Sequence, residues 1–411
     1  MLEHHVKSPV TRDRLRTGLA ADHVDGFADW LHRRGYRPIT IDALLRSLAG
    51  WTDWMRVKGF TAHDLNAGLE ACKVALKKEP RARYCRGIND QSRATAAVFV
   101  RFLQEQGVVP RPATSSPSDR WPLLGAFRSW MRQHRGLTET TLDAYQGVLV
   151  ELLAMLGDDP RAYTAAALRA FVLQRARPHG IWRAKSIAVA VRAFLRFLGA
   201  TGQCPSGREH AIPSFATWQL SSVPRFLRPD EVERVIASCS ADAKGLRDRA
   251  ALLLLARLGL RASEVARLTF AELDWDKGQI TLCGKGRRQE RLPLPQEVGT
   301  AILLYLRRGR PPLPVPELFT TVMPPVRPLT RAAVTHIVRS ALARAAIKAP
   351  INGAHVLRHS AATAMLRQGA SLAGVGAVLR HRSLSTTAHY AKVDFGLLAE
   401  IAQPWPGAAP C

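Results

Sequence analysis

Apolar residues recur along most of this 411-residue chain at the spacing that places them on one face of an α-helix. The run 189–198 shows this pattern, with apolar side chains at positions i, i+3 and i+4. The run 250–258 is almost entirely apolar, which indicates a helix that Gly259 can end. Two short β-prone segments, 279–282 and 290–294, flank a glycine-containing loop and predict a hairpin. The pattern predicts a mostly α fold with a small β component.

The front half of the chain contains an approximate internal repeat. Phe27 and Trp30 recur as Phe127 and Trp130, and three later segments recur in the same order: 40–42 as 141–143, 60–65 as 163–168, and 100–107 as 195–202. The offsets are 100, 101, 103 and 95 residues, as expected for a duplicated domain of about four helices per copy. The alternative is that two amphipathic bundles resemble each other by composition alone.

Proline- and serine-rich segments mark the predicted boundaries between domains. They predict, in order, an N-terminal tail at 1–19, a helical domain at 20–108, a linker at 109–117, a second helical domain at 118–203, a linker at 204–223, a third domain at 224–403 and a C-terminal tail at 404–411. Segment 393–401 is amphipathic and either covers the third domain or docks onto a neighbouring subunit.

The charge balance indicates a nucleic-acid partner. Lys and Arg number 59 against 33 Asp and Glu, a net charge of +26. Residues 224–411 hold 27 basic and 14 acidic side chains and residues 1–223 hold 32 and 19, so each part carries +13. Ribosomal and membrane-surface proteins share such a balance, but we find neither a signal peptide nor an apolar stretch of membrane-spanning length. Six cysteines without a Cys-x-x-Cys pair suggest reduced thiols, and we expect a cytoplasmic protein.

Scattered polar residues in the C-terminal half have the chemistry of a phosphodiester site, in which the phenol of Tyr390 is the only plausible nucleophile. The set is Arg261, Lys285, His355, Arg358, His381 and Tyr390. We expect Gly259 and a cap at Ser263 to present Arg261 on a short turn. The hairpin tip would carry Lys285, and a spacing of three would place His355 and Arg358 on one helix face.

Taken singly, each of these residues has a plainer explanation. Arg261 alone is typical of a solvated surface charge, and Tyr390 alone of a half-buried core tyrosine. His355 and His359 at i and i+4 resemble half of a zinc site, but the glutamate of a His-Glu-x-x-His helix is missing.

In order and spacing the residues resemble the tyrosine recombinase (phage integrase) family of site-specific DNA recombinases, over about residues 224–403. The matches are Arg261 with Glu264 for the first motif, Lys285 for the hairpin lysine, His355-x-Leu-Arg358-His359 for the second motif, and His381 with Tyr390 for the third. Glu264 and His359 are therefore supporting residues. The family usually has glycine before the histidine of its third motif, where this chain has Arg380.

The resemblance implies helical SAM-like N-terminal domains, the second of them core-binding, before a mixed α/β catalytic domain. It further implies strand cleavage through a 3′-phosphotyrosyl intermediate without metal or other cofactor. The partners would be double-stranded DNA and further subunits, as a dimer per site and a synaptic tetramer, or related recombinases. A mobile element is the expected context.

Residue chemistry suggests a role for each side chain. The forked guanidiniums of Arg261 and Arg358 would clamp the non-bridging phosphate oxygens. His355 would take the proton of Tyr390, Lys285 would protonate the leaving 5′-oxygen, and His381 would donate to the scissile phosphate. A type IB topoisomerase shares this chemistry, and a catalytically impaired DNA-binding recombinase is a further alternative. An RNA-binding protein is disfavoured because only 7% of the residues are aromatic.

Overall fold

The computed structural model describes residues 2–78, 88–110, 117–216, 224–283, 289–381 and 383–393. It confirms a mostly α fold with one small sheet. The chain divides into two compact units, one of Met1–Pro110 with Ser222–Cys411 and the other of Arg111–Ser221. Across the described ranges, no helix combines the length and apolar character needed to cross a membrane.

The first bundle, residues 2–110, contains six of the described α-helices. They are α1 (Leu2–His5), α2 (Pro9–Thr17), α3 (Val24–Arg33), α4 (Pro38–Val57), α5 (Leu65–Lys78) and α6 (Asp90–Glu105), with 3-10 turns at Ala21–His23 and Ala62–Asp64. Proline at the first position starts α2 and α4, and the Asn89 side chain accepts from Ser92 N at 2.8 Å to cap α6. Leu2 and Leu15, in the range assigned to a tail, are buried in the core of this bundle.

The second bundle, residues 117–216, contains α7 (Pro117–Arg120), α8 (Pro122–Arg135), α9 (Glu139–Leu156), α10 (Ala165–Ala176) and α11 (Ile181–Ala200), with 3-10 turns at Pro160–Ala162 and Arg208–Ala211. Gly136 has φ +56° and ends α8 in the left-handed conformation that glycine adopts without strain. The helix predicted around 189–198 is confirmed as part of α11. Cys204 and Ile212 are buried in the core of this bundle, although they lie in the range assigned to a linker.

The C-terminal domain, residues 224–393, surrounds the apolar helix α13. Its helices are α12 (Pro229–Ala237), α13 (Ala243–Arg257), α14 (Ala262–Arg267), α15 (Gln296–Arg308), α16 (Arg331–Arg344), α17 (His355–Arg367), α18 (Leu372–Val378) and α19 (Leu384–Thr387), with 3-10 turns at Phe270–Glu272 and Ala388–Val393. Leu252 to Leu255 are all fully buried, so every side of this stretch of α13 packs against the domain.

The predicted hairpin is confirmed. Strands β2 (Gln279–Cys283) and β3 (Gln289–Pro293) pair antiparallel with Ile280 opposite Leu292, and a two-residue strand β1 (Leu273–Asp274) extends the sheet in the order β1-β2-β3. Strand β1 is too short to show an alternating pattern in the sequence, and its pairing with β2 decides its conformation.

The expected cap at Ser263 is wrong. Helix α14 begins at Ala262 with Arg261 in the N-cap position, and Glu264 Oε2 accepts from the backbone N–H of Arg261 at 2.7 Å. Because this carboxylate already supplies the acceptor at the start of the helix, a serine hydroxyl is not needed there. The prediction that Gly259 ends the preceding apolar helix is in line with its φ of +58°.

Candidate active site

Arg358 is the most buried cation of the site, with 4% of its surface exposed. It lies on α17, and its two terminal nitrogens donate to the carbonyl oxygens of Gly259 and Leu379. Gly259 has φ +58°, a conformation that glycine adopts readily, and a Cβ there would lie 2.5 Å from Leu379 Cδ2 and force that side chain to shift. Burial, and then the charge of Arg261, lower the pKa of Arg358 to about 10. The guanidinium is therefore charged at neutral pH and is held in a single orientation.

Arg261 lies at the start of α14 with 36% of its side chain exposed. Its Nη1 donates to Glu264 Oε1 at 2.8 Å, and its Nη2 lies 3.5 Å from the carbonyl oxygen of Arg380. Glu264 is only 10% exposed, and despite burial its pKa is lowered, mainly by the Arg380 guanidinium. The carboxylate is thus ionised and fixes Arg261 at the edge of the site, where solvent reaches the guanidinium.

Tyr390 is 3% exposed, and its hydroxyl meets a histidine. Nδ1 of His359 and Oη of Tyr390 are 2.8 Å apart. Burial raises the pKa of Tyr390, and the charge of Arg358 opposes that rise. Burial, and then His355, lower the pKa of His359 to about 4, so its imidazole is neutral at pH 7. A neutral imidazole can accept the phenolic proton in this hydrogen bond.

His381 is a second histidine beside Tyr390. Its ring is nearly parallel to that of Tyr390, at 7° with the centroids 6.2 Å apart. His381 Nδ1 is 2.9 Å from Oγ1 of Thr387, which is itself 1% exposed. Burial, and then Arg358, lower the pKa of His381 to about 4. If Nδ1 accepts from Thr387, then Nε2 carries the proton and is available as a donor.

His355 is the first residue of α17 and is exposed. Its ring centroid is 6.1 Å from that of His359. Partial desolvation of the ring by the neighbouring site residues, and then the charge of Arg358, lower its pKa. Among the described residues, no group of three histidine, cysteine or acidic side chains comes together as metal ligands would, so these two histidines lack a third ligand there. Lys285 lies outside the described residues.

The structure thus brings Arg261, Arg358, His359, His381 and Tyr390 together with Glu264. It also adds contacts that the sequence interpretation missed. Thr387 orients His381, and the His389 ring lies 6.3 Å from that of His359. Both residues stand within three positions of Tyr390, which is the signal that could have pointed to them. The pairing of Arg380 with Glu264, 116 residues apart, has no local signal.

Comparison with known proteins identifies the family of this chain. Residues 225–396 match the profile of the phage integrase family. A Sinorhizobium fredii protein named integrase/recombinase y4rA is 35% identical over 417 residues, covering 99% of this chain and 100% of that protein. Tyrosine recombinase XerC of Salmonella typhi is 31% identical and covers 68% of this chain and 93% of its own length. The chain therefore belongs to the phage integrase family of tyrosine site-specific recombinases.

Solved structures share the fold at low identity. The XerH recombinase in a post-cleavage complex with a palindromic difH substrate has a TM-score of 0.55 at 19% identity, covering 82% of this chain and 95% of that chain. A lambda integrase (75–356) dimer bound to a COC′ core site has a TM-score of 0.51 at 16% identity, covering 71% and 99%.

Proposed function

We propose that this protein cuts and rejoins double-stranded DNA at specific sites through a 3′-phosphotyrosyl intermediate on Tyr390, as the recombinase of a mobile element. The observation that carries the proposal is the hydrogen bond between Tyr390 Oη and His359 Nδ1, beside two arginines fixed by protein acceptors. A buried tyrosine that served only packing would not need a neutral imidazole and a ring-stacked second histidine.

The arginines supply the charge that a phosphoryl transition state needs. Arg358 is already oriented by two carbonyls, so its remaining N–H groups can meet an oxyanion without reorganisation. Arg261, more exposed, would close on the same phosphate from the solvent side. Replacing either with alanine should lower the cleavage rate by about a hundred- to a thousandfold, since a preorganised donor has that effect on catalysis.

His359, rather than the more exposed His355, is the better placed acceptor for the phenolic proton. In the free protein burial, and then His355, hold its pKa at about 4, which makes it a weak base. The negative charge of a bound phosphodiester would offset the smaller contribution of Arg358 and raise that pKa, so the imidazole becomes more basic when substrate is present. His359→Gln should therefore slow cleavage at saturating DNA more than His355→Gln does, whereas the opposite order would return the base role to His355.

The remaining steps use His381 and Lys285. His381, with Nδ1 engaged by Thr387, would donate from Nε2 to the scissile phosphate. Lys285 would protonate the leaving 5′-oxygen, and the freed 5′-hydroxyl would then attack the phosphotyrosine of a partner strand. No bond energy is lost in this sequence, because the phosphotyrosyl ester replaces the phosphodiester and is itself replaced.

The proposed partners are DNA and further copies of the chain. The net charge of +26 suits the phosphate backbone and predicts steep salt dependence of binding. The XerH and lambda integrase structures hold DNA, and one of them is a dimer on a core site. We place this protein on cytoplasmic DNA as a dimer per site, with two sites joined in a tetramer.

A nicked suicide duplex tests the nucleophile. The duplex would carry the site that the protein protects in footprinting of the DNA beside its own gene. Wild-type protein should form a denaturant-resistant adduct, and Tyr390→Phe should bind but form none. Tyr305→Phe is the matched control, because Tyr305 is equally buried in the same domain and bonds only within the protein, to Thr320 at 3.2 Å. An adduct of equal yield with Tyr390→Phe would remove Tyr390 from the role.

A further inference from the structure

Arg380 has an unusual backbone. Its φ is +55°, and only one other non-glycine residue in the described part of the chain, Ala346, has a positive φ. This left-handed region disfavours residues with a Cβ, which accounts for the glycine that related chains usually have before the histidine. Arg380 is nevertheless 7% exposed, so a long charged side chain is buried where a glycine would fit better. Its contacts must offset both costs.

The contacts of Arg380 lead to Arg261, either directly or through Glu264. Its Nη2 donates to Glu264 Oε2 at 2.6 Å, and its Nη1 donates to the carbonyl oxygen of Val378 at 3.1 Å. Its own carbonyl oxygen lies 3.5 Å from Nη2 of Arg261. The Glu264 carboxylate therefore has one oxygen shared by Arg380 and the backbone N–H of Arg261, and the other bonded to the Arg261 guanidinium.

Charge counting explains the use of a second cation. Glu264 and Arg261 alone form a neutral pair, in which the carboxylate competes with a phosphate for the Arg261 guanidinium. With Arg380 added, the three side chains carry +1, and one carboxylate oxygen is drawn away from Arg261. Glu264 then competes less with an incoming phosphate for the Arg261 guanidinium, while it still sets the direction of that guanidinium.

Arg380 also reaches toward the sheet. Among the described residues, no acceptor forms a hydrogen bond with Nε of Arg380. Oε2 of Glu290, on β3, lies 3.9 Å from this nitrogen. The β2–β3 hairpin is the element whose loop contains Lys285. Arg380 thus stands between the helix start that presents Arg261 and the strand that leads from the lysine loop.

We infer that Arg380 is a positioning residue of this recombinase, which acts through Glu264 to hold Arg261 oriented and available for the phosphate. The inference rests on the proposed cleavage reaction at Tyr390. It assigns a role to the position at which this chain departs from the usual glycine.

Three substitutions at Arg380 separate this role from simple packing. Arg380→Gly relieves the backbone and removes the cation, Arg380→Met keeps the length without the charge, and Arg380→Lys restores a charge. Because the side chain acts through Glu264 and not on the phosphate itself, Arg380→Gly and Arg380→Met should each slow single-turnover cleavage about tenfold. This effect is smaller than that of losing Arg261 itself. DNA affinity should stay within about twofold of the wild-type value. Arg380→Lys should recover part of the rate.

A double-mutant cycle shows whether the effect passes through Glu264. In a Glu264→Gln background, Arg380→Met should slow cleavage by less than about twofold further, because its target carboxylate is gone. A residue that only stabilises the fold would instead give the same factor in both backgrounds. Arg257→Met is the matched control, since Arg257 also bridges two carboxylates, Glu233 and Glu297, but touches none of the site residues named above. It should leave the cleavage rate unchanged.

The outcomes are distinct. If wild-type protein forms no Tyr390 adduct, the proposed function fails and the Arg380 experiment has no rate to measure. If wild type cleaves and Arg380→Gly cleaves as fast or faster, the inference is overturned. Equal factors for Arg380→Met with and without Glu264→Gln would also overturn it.

Discussion

The first and second bundles have the same aromatic framework. In the first bundle, Phe27 meets Phe99 edge to face with the centroids at 5.1 Å, and Trp30 lies 5.8 Å from Phe102. In the second, Phe127 meets Phe194 edge to face at 5.5 Å, and Trp130 lies 5.8 Å from Phe197. The aromatic pair on the last helix is 6.1 Å apart in both bundles. We call each set of four residues the aromatic quartet of its bundle.

The polar ties around the two quartets differ. In the first bundle, Trp30 Nε1 donates to Glu105 Oε2 at 3.0 Å and Arg34 covers the Trp30 ring, so α3 is tied to the end of α6. In the second bundle, Arg128 and Arg132 of α8 bond Glu139 at the start of α9. The same first helix is thus anchored to different partners in the two bundles.

This comparison teaches that apolar spacing carries the shared architecture, whereas polar ties can be moved between helix pairs. Aromatic burial contributes most of the packing energy and demands a fixed geometry. Exposed ion pairs contribute little and can change without loss of the fold. The matched quartets, at the offsets seen in the sequence, support a duplication over a chance likeness of composition.

The largest test is removal of the first bundle. The first bundle shares a compact unit with the C-terminal domain, but their buried clusters are separate, from Leu2 to Val109 and from Leu227 onward, so a protein that starts at Ser118 should fold. It should cleave a single core site, while its footprint shrinks and its binding becomes less salt-dependent. Assembly of paired sites should suffer more than cleavage. An unchanged footprint would show that the first bundle contacts protein instead of DNA, and an insoluble product would contradict the boundary.

Equivalent core positions should respond alike. Phe27 and Phe127 are 0% and 1% exposed, so Phe27→Ala and Phe127→Ala should each destabilise their own bundle by about 3 to 5 kcal/mol. Hydrogen exchange resolved by peptide would locate the loss in one bundle at a time. Val10→Ala, 70% exposed in the first bundle, is a control that should change stability by less than about 0.5 kcal/mol. A large cost for only one phenylalanine would break the equivalence.

The tryptophans should respond differently. Trp30→Phe loses the hydrogen bond to Glu105 and should cost about 1 kcal/mol beyond the lost ring area. The neighbour of Trp130 is the ring of His134 and not a carboxylate, with the ring centroids 5.1 Å apart. Trp130→Phe should therefore cost less than Trp30→Phe. Urea unfolding of the two variants measures the difference. Glu105→Ala supplies the control background, in which Trp30→Phe should cost only the lost ring area because the acceptor is already gone. Equal costs for Trp30→Phe and Trp130→Phe would contradict the difference in polar ties.

The smallest predicted effect is the pH dependence of the stability of the second bundle. Hydrogen bonds from Arg132 and then Arg128 lower the pKa of Glu139 from 4.5 to about 2. Because the pKa is lower in the folded state, the stabilisation is complete above pH 4.5 and is lost as the pH falls toward 2. Between those values the second bundle should therefore lose some protection in hydrogen exchange, and Glu139→Gln should remove that pH-dependent part. In the first bundle, Asp42, equivalent to Asp143, pairs within its own helix with Arg46. If hydrogen-exchange protection of α3 and α4 fell over the same pH range, that result would contradict the difference between the two bundles.

Local patterns in the sequence were enough to predict helices around 189–198 and 250–258 and the β2–β3 hairpin. Periodic apolar residues and glycine or proline at the ends act within a few positions, so α11 and the end of α13 could be read directly. Strand β1 and the start of α14 could not, because pairing with β2 and the Glu264 carboxylate decide them. Helices α1 and α2 were also not predicted from the sequence, since their burial depends on partners such as α3 and α4.

The sequence by itself predicted which residues form the site, because their types and order match a known chemistry. Only the tertiary structure decided which of them touch. It brought Tyr390 to His359, a contact between residues 31 apart, and paired Arg380 with Glu264 across 116 positions. Such contacts depend on how α14, α17 and the segment after α18 pack together, and neither periodicity nor capping signals carry that information. Burial then set the pKa values of the histidines and the tyrosine, since desolvation depends on the whole surrounding fold and not on neighbours in the chain.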